Sequence, residues 1–205
     1  LFRSRSTGTG AEGAVFVSGN LGNNIVGDMN NVINVTGTIT SDTDAAIALN
    51  GNATVNVNDG AVITGNTAIA IKRGTLNVTG GTVHATGISQ IPPSGNLNGT
   101  EMTGAAVSMT NTYNQYGAMQ VNISGGSFTS DHAMALYKED DNYTNTAKYA
   151  VSGGIFNTAV PEEFCADGYV PTSITTQGLT QYTVEPGDFV AQIGETKYTT
   201  LAAAV

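Results

Sequence analysis

Short runs in which apolar and polar residues alternate recur in the same order along most of this chain. Ile69 and Ile71 lead to Leu76 and Val78, then to a Gly-Gly pair and Val83. Alternation with a period of two predicts strands that bury one face. The same order of events occurs five times, and the second strand of each copy ends at an apolar residue: Val35, Val57, Val78, Ile123 and Val151.

The spacing of these five positions predicts a solenoid. Successive gaps are 22, 21, 45 and 28 residues, and a coil of three short strands with three corners needs about 20. The longer gaps are explained by an insertion over 88–104, which contains Pro92 and Pro93, and by a longer loop around Lys138–Lys148. Each unit of such a repeat buries its apolar face against its neighbours. We therefore expect an all-β fold, a parallel β-helix of about five coils over residues 14–184.

The repeat also predicts which residues stack on one another inside the coils. Small residues recur just before the first strand of a copy, which suggests a tight corner: Ala46, Ala68, Ala106 and Ala133. Met134 and Leu136 are expected to form the inward pair of the fifth copy's first strand. Two inward ladders are expected: Val57–Val78–Ile123–Val151 and Val62–Val83–Phe128–Phe156.

Composition and charge limit the class of protein. Charged residues make up 11% of the 205, against about 25% in an average domain, and Asn, Thr and Ser supply the polar surface. A net charge of −9 argues against nucleic acid, whose phosphates require a basic patch. No apolar run reaches the length of a membrane span. The single Cys165 is expected to pack as a small apolar residue.

The segment after the repeats resembles a known module. It contains Ser-Gly-Gly-Ile-Phe at 152–156 and Ala-Asp-Gly-Tyr at 166–169. These motifs resemble the closing module of large cell-surface proteins of gut-type Gram-positive bacteria, although Cys165 stands where an aliphatic residue is expected. The resemblance implies a right-handed β-helix of the pectate-lyase-like type and an extracellular location, secreted or attached to the cell surface.

The two ends of the chain are expected to differ from the repeats. Residues 1–13 are polar and Gly-rich, which predicts a loose N-terminal end. Residues 185–205 resemble the start of a following unit or a terminal cap, with Thr199 or Thr200 capping a helix. The chain starts at Leu1 without a signal peptide, so we expect a mature or excised fragment.

No catalytic residues are assigned from the sequence. A lyase base could come from Lys72, Arg73 or Lys138, but the acidic residues are scattered over corners and do not pair on one strand. Inverting glycoside hydrolysis needs two carboxylates about 6.5–9.5 Å apart. We therefore predict a non-catalytic stalk or adhesion module. The alternative is a carbohydrate-active enzyme, either a polysaccharide lyase or a glycoside hydrolase, or a carbohydrate-binding β-helix.

Two groups of residues are candidate binding sites. Four tyrosines in the long loops could form a platform for a glycan or for a host or bacterial surface protein, or could simply cover the side of the coils: Tyr113, Tyr116, Tyr137 and Tyr143. Glu139, Asp140 and Asp141 form the densest oxygen cluster and could bind Ca²⁺. The cluster lacks the spacing of a calcium loop, so a solvated charged loop is the competing interpretation. His84 and His132 have no partners at zinc-ligand spacing.

Overall fold

The computed structural model describes residues 3–6, 14–17, 31–88, 103–139, 142–187, 190–193, 196–198, 201 and 205. Within these ranges the chain is all-β, with three sheets whose strands run mainly parallel. Three consecutive strands lie in three different sheets, and the next three repeat the same order. The apolar alternation recurs along the sequence because each repeat supplies one strand to each sheet. This arrangement is compatible with the expected parallel β-helix.

The strands are numbered in chain order. The first sheet contains β1 (Arg3–Ser6), β4 (Thr38–Ser41), β7 (Val62–Gly65), β10 (Thr82–Ala85), β13 (Ser127–Ser130) and β16 (Ile155–Phe156). The middle sheet contains β2 (Val15–Val17), β5 (Ile47–Leu49), β8 (Ile69–Ile71), β11 (Val107–Met109) and β14 (Leu136–Lys138). The third sheet contains β3 (Asn31–Val35), β6 (Ala53–Val57), β9 (Gly74–Val78), β12 (Met119–Ile123) and β15 (Ala147–Val151).

The remaining elements follow or connect these repeats. An antiparallel hairpin of β17 (Tyr169–Thr176) and β18 (Leu179–Pro186) is joined to the first sheet through β16. Its two-residue turn, Gln177-Gly178, has positive φ at both positions, which matches the twist of the flanking strands. A separate antiparallel pair consists of β19 (Ala191–Ile193) and β20 (Thr196–Tyr198). Two short 3-10 helices cover Asn114–Tyr116 and Glu162–Phe164.

The core lies between the three parallel sheets, and the first predicted ladder is confirmed. Val57 pairs with Val78, Val78 with Ile123, and Ile123 with Val151. All four side chains are buried. In the first sheet, Val83 pairs with Phe128 and Phe128 with Phe156, and the two phenylalanine rings stack with centroids 4.9 Å apart.

The second predicted ladder is wrong at its first member. Val83 pairs with Ile63, and Val62 is 40% exposed. Four residues separate β6 from β7, whereas three separate β9 from β10. The longer corner closes a turn in which the Ala61 N–H donates to the Asn58 carbonyl at 3.1 Å. Because side chains alternate along a strand, this one extra residue turns Val62 outward and Ile63 inward.

The fifth copy is also displaced from its predicted register. Leu136 pairs with Val107, and Met134 is 42% exposed rather than buried in the core. The Val107 N–H donates to the Ala135 carbonyl, so Ala135, and not Ala133, holds the small-residue position. Five residues connect β13 to β14, two more than connect β7 to β8, and this length moves the strand start by two residues.

At the N-terminal end of the chain, part of the segment expected to be loose forms a strand. Arg3–Ser6, expected to be loose, forms β1 and pairs in register with β4. Most of the predicted insertion over 88–104 lies outside the described residues, as does most of the stretch expected to form a helix after Thr199. In the part of the chain that the structure describes, no helix has the length and apolar composition needed to cross a membrane.

Candidate functional site

The outward face of the third sheet is a ladder of asparagines. Asn56 Nδ2 donates to Asn34 Oδ1 at 2.9 Å, Asn77 Nδ2 to Asn56 Oδ1 at 2.9 Å, and Asn122 Nδ2 to Asn77 Oδ1 at 2.8 Å. Asn56 and Asn77 each bond to the equivalent asparagine on both sides, while Asn122 Oδ1 accepts a hydrogen bond of 2.8 Å from Gln120 Nε2. Three of these asparagines belong to Asn-x-Ser/Thr sequons, and their strand positions account for that pattern.

The outward face of the first sheet carries threonines and a histidine that contacts an aspartate. Thr64, His84 and Thr129 are in register. His84 Nε2 lies 3.0 Å from Asp131 Oδ1, and both side chains are partly solvent-exposed. The sequence did not reveal this pair, because 47 residues separate the two positions.

The outward face of the middle sheet differs from both, because its residues change from repeat to repeat. One row contains Ala48, Ala70, Ser108 and Tyr137, which are paired strand to strand and buried. The row beside it contains Asn50, Lys72, Thr110 and Glu139, whose N–H groups donate to the preceding strand. Both amide atoms of Asn50 and the Ser108 hydroxyl are buried, and none of them has a hydrogen-bond partner among the described residues. Buried polar atoms without partners are uncommon and mark this face as unusual.

A cavity of about 530 Å³ lies beside β14, the last strand of the middle sheet. Its walls come from three places: the end strand β14, the region from Tyr143 to Tyr149 that contains most of β15, and the segment of the Glu162–Phe164 helix. Among the described strands, none pairs with the outer edge of β14. The cavity therefore opens where the stack of repeats ends, and its volume is typical of ligand pockets.

Two of the four predicted tyrosines line this cavity, Tyr137 and Tyr143. The Tyr143 hydroxyl donates to the Met109 carbonyl at 3.2 Å, and Lys138 Nζ lies 5.2 Å from the centre of its ring. An ammonium group at this distance is attracted to the electron-rich face of the ring. The cation–π contact therefore holds the Lys138 ammonium against the Tyr143 ring on the cavity wall.

Charged groups of both signs surround the same cavity: Lys138, Glu139, Lys148 and Glu163. Glu139 Oε2 accepts a hydrogen bond of 2.8 Å from the Asn111 backbone N–H, which fixes this carboxylate. Lys148 is exposed and lies 4.0 Å from Asp167 Oδ1. At that distance and exposure the ion pair contributes little to stability, so the Lys148 ammonium can reorient toward a ligand.

The floor of the cavity is an aromatic pair that the sequence did not identify as part of a site. Tyr149 and Phe164 stack with ring centroids 4.5 Å apart. The Tyr149 hydroxyl crosses the interior to lie 3.1 Å from the Val107 carbonyl and 2.9 Å from that of Tyr137. Burial, with a smaller contribution from Tyr143, raises the pKa of Tyr149 well above 10.0, so this hydroxyl is a proton donor and remains neutral.

The other two predicted tyrosines lie elsewhere. Tyr113 and Tyr116 pair with each other at 6.5 Å between ring centroids, and neither lines the cavity. Tyr113 is buried, with Lys72 Nζ 5.5 Å from its ring, while Tyr116 is 40% exposed. The four tyrosines therefore do not form one platform, because the middle sheet's loops separate them into two pairs.

The loop that carries Tyr113 also covers the candidate lyase bases Lys72 and Arg73. Lys72 is fully buried beneath this loop, and Arg73 is 7% exposed. A Cβ at Gly117 would lie 2.6 Å from Arg73 Nε, so the loop backbone rests directly on the guanidinium group. Lys72 and Lys138 occupy different repeat positions, because Lys72 aligns with Glu139 and Lys138 aligns with Ile71. Of the three candidate bases, Lys138 is the one that lines the cavity.

The predicted calcium site is described in part. Glu139 lines the cavity, whereas Asp140 and Asp141 lie outside the described residues. Among the described residues there is no group of three or more His, Cys, Asp or Glu side chains that could hold a metal ion.

No protein-family model, curated protein sequence or solved structure matches this chain.

Proposed function

We propose that this chain is a non-catalytic, extracellular segment of a bacterial surface protein that acts as a stalk or adhesion module. It is built as a right-handed parallel β-helix of about five coils. The observation that carries the proposal is the asparagine ladder over Asn34, Asn56, Asn77 and Asn122. Asparagine side chains that form hydrogen bonds with one another across four repeats stabilise the stacking of the repeats. They leave few polar groups on this face for catalysis.

The handedness is supported by a general property of parallel strands. Each repeat connects one strand to its parallel neighbour in the same sheet, and such crossovers are right-handed in nearly all proteins. Extracellular location is supported by the neutral Asn/Thr surface and by the resemblance of residues 152–169 to the closing module of Gram-positive surface proteins.

A glycoside hydrolase is the second candidate function, and one observation favours it. Glu139 and Glu163 line the same cavity, and such an enzyme uses two carboxylates that flank the bond to be cleaved. A polysaccharide lyase is less well supported, since Lys72 and Arg73 are covered and an anionic polymer would meet a chain of net charge −9.

Turnover assays test the proposal directly. The protein is incubated with neutral polysaccharides and with polygalacturonate, with and without Ca²⁺, and both reducing ends and unsaturated uronate products are measured. We expect neither product to rise above the rate of a buffer control. Reducing ends that disappear in Glu163→Gln would establish the hydrolase instead, and unsaturated uronate that disappears in Lys138→Ala would establish the lyase.

A further inference from the structure

We propose that the cavity between β14, β15 and the Glu162–Phe164 helix binds a short neutral oligosaccharide. This inference rests on the proposed adhesion function and names the ligand class that the adhesion site takes. It places binding at the end of the repeats, and it excludes the Tyr113–Tyr116 pair from the site.

The size of the cavity is the first argument. A volume of about 530 Å³ lies in the range of pockets that enclose most of a small organic ligand. It accommodates a few sugar rings and is far too small for a folded protein partner. The opening lies at the end of the stack, so the remainder of a longer glycan can extend into solvent.

The chemistry of the walls is the second argument. Sugars present apolar C–H faces edged by hydroxyl groups, and the cavity offers both kinds of partner. Tyr143 and Phe164 supply aromatic surface, while Glu139 and Glu163 accept hydrogen bonds and Lys148 donates them. Pockets of this mixed kind use apolar contact for affinity and a few placed polar groups for orientation.

The charge of the walls selects a neutral ligand. Among the lining residues that the structure describes, two lysines, Lys138 and Lys148, balance two glutamates, Glu139 and Glu163. The whole chain carries −9, which repels uronates and other anionic sugars at long range. A cationic sugar would have to displace Lys138 from the face of Tyr143.

The site is also preorganised, which lowers the entropic cost of binding. Glu139 is held by the Asn111 N–H, Tyr143 by the Met109 carbonyl, and Phe164 by its stack on Tyr149. A ligand therefore meets three side chains that are already fixed, and the exposed Lys148 is the group that adjusts to it.

Calorimetric titration of the intact chain tests this inference. The probes are cellotriose, maltotriose and tri-N-acetylchitotriose, with trigalacturonate as the acidic comparison. We expect at least one neutral trisaccharide to bind with a Kd of about 1 mM or tighter and to bind more tightly than trigalacturonate. Tyr143→Ala and Lys148→Ala should each weaken that binding by about tenfold, while the matched control Tyr116→Ala leaves it unchanged.

Thermal unfolding of each variant separates loss of the site from loss of the fold. Lys148 is exposed, so Lys148→Ala tests the site even where Tyr143→Ala alters packing. The inference is overturned if no neutral trisaccharide binds, if trigalacturonate binds more tightly, or if Tyr116→Ala weakens binding as much as Tyr143→Ala does. Cleavage of a bound trisaccharide would refute the non-catalytic function but would leave the site assignment standing.

Discussion

At the scale of single residues, an asparagine side chain stabilises the protein at one position and destabilises it at another, depending on its hydrogen-bond partners. Asn77 donates to Asn56 and accepts from Asn122, so its amide is satisfied on both sides. Asn50 is fully buried on the outward side of the middle sheet, and no residue in the described part of the chain forms a hydrogen bond with either of its amide atoms. A buried polar group without a partner loses its hydration and gains nothing in return.

Replacing Asn50 by Leu, which has nearly the same branched shape, should therefore stabilise the protein. We expect the free energy of unfolding in urea to rise by about 1–3 kcal/mol, the usual penalty of an unsatisfied buried amide. The matched change Asn77→Leu should lower it by about 1–2 kcal/mol, because two hydrogen bonds of the ladder are lost. A fall in both variants would mean that Asn50 has partners in solution.

Burial of Cys165 predicts how stability depends on alkaline pH. Burial, followed by the nearby Glu162 and Glu163, raises the pKa of the Cys165 thiol from 9.0 to about 11. Below pH 9 the thiol is protonated in both states and its contribution is fully present. As pH rises from 9 toward 11, the unfolded chain ionises more readily than the folded one, so stability falls.

The free energy of unfolding should fall by at most about 3 kcal/mol because of this thiol, since its pKa differs by about two units between the folded and unfolded states. Cys165→Ala should flatten part of the slope between pH 9 and 11 in urea titrations. The buried Tyr149 hydroxyl, whose pKa is also raised, should keep part of the slope in this variant. An unchanged slope in Cys165→Ala would show that the thiol is not buried in solution.

At the scale of elements, the strands are fixed by alternation and the corners by their lengths. β9 buries Leu76 and Val78 and presents Thr75 and Asn77 outward, as its sequence predicts. Gly74 begins this strand with φ of +99°, and a Cβ there would lie 2.4 Å from the Gly51 carbonyl oxygen. The backbone of one repeat thus rests on the next at this corner, which a larger residue would prevent.

A carboxylate on the inward face of β9 should unfold the repeats. Val78→Asp places an unpaired charge between Val57 and Ile123 and should lower the free energy of unfolding by about 3 kcal/mol or more. Thr75→Asp, on the outward face of the same strand, is the control and should cost less than about 1 kcal/mol. Circular dichroism during urea unfolding measures both. Equal losses would contradict the observed register.

At the scale of the whole molecule, the C-terminal end of the repeats is closed differently over the first sheet and over the middle sheet. At the C-terminal end, the β17–β18 hairpin continues the first sheet beyond β16 and buries Val184. Over the middle sheet, no described strand follows β14, and the cavity occupies that position. β19 and β20 pair with each other and join none of the three parallel sheets.

Removal of residues 189–205 should therefore leave the repeats intact. We expect the melting temperature to change by less than about 2 °C, because no strand of the parallel sheets is lost. The longer deletion of residues 169–205 also removes the hairpin and uncovers the edge of β16, so it should lower the melting temperature clearly. A large drop in the shorter deletion would show that β19 and β20 belong to the same cooperative unit.

The sequence by itself determined the all-β class, the three-strand repeat and the inward ladder from Val57 to Val151. These depend on period-two alternation, which is local and tolerates insertions between strands. It could not determine the register after each corner, as the errors at Val62 and Met134 show. One or two extra corner residues change which side chains face inward, and the sequence does not reveal how a corner is closed.

The tertiary structure alone decided where the candidate site lies. Four tyrosines in the long loops are equivalent candidates in the sequence, yet Tyr137 and Tyr143 border the cavity, while Tyr113 packs against Lys72 and Tyr116 packs against Tyr113. Tyr149 is buried in the core and also forms the floor of the site with Phe164. Which residues line the cavity depends on which strand ends the middle sheet and on how the closing segment folds back over that strand. Both features are set by contacts between residues far apart in the chain.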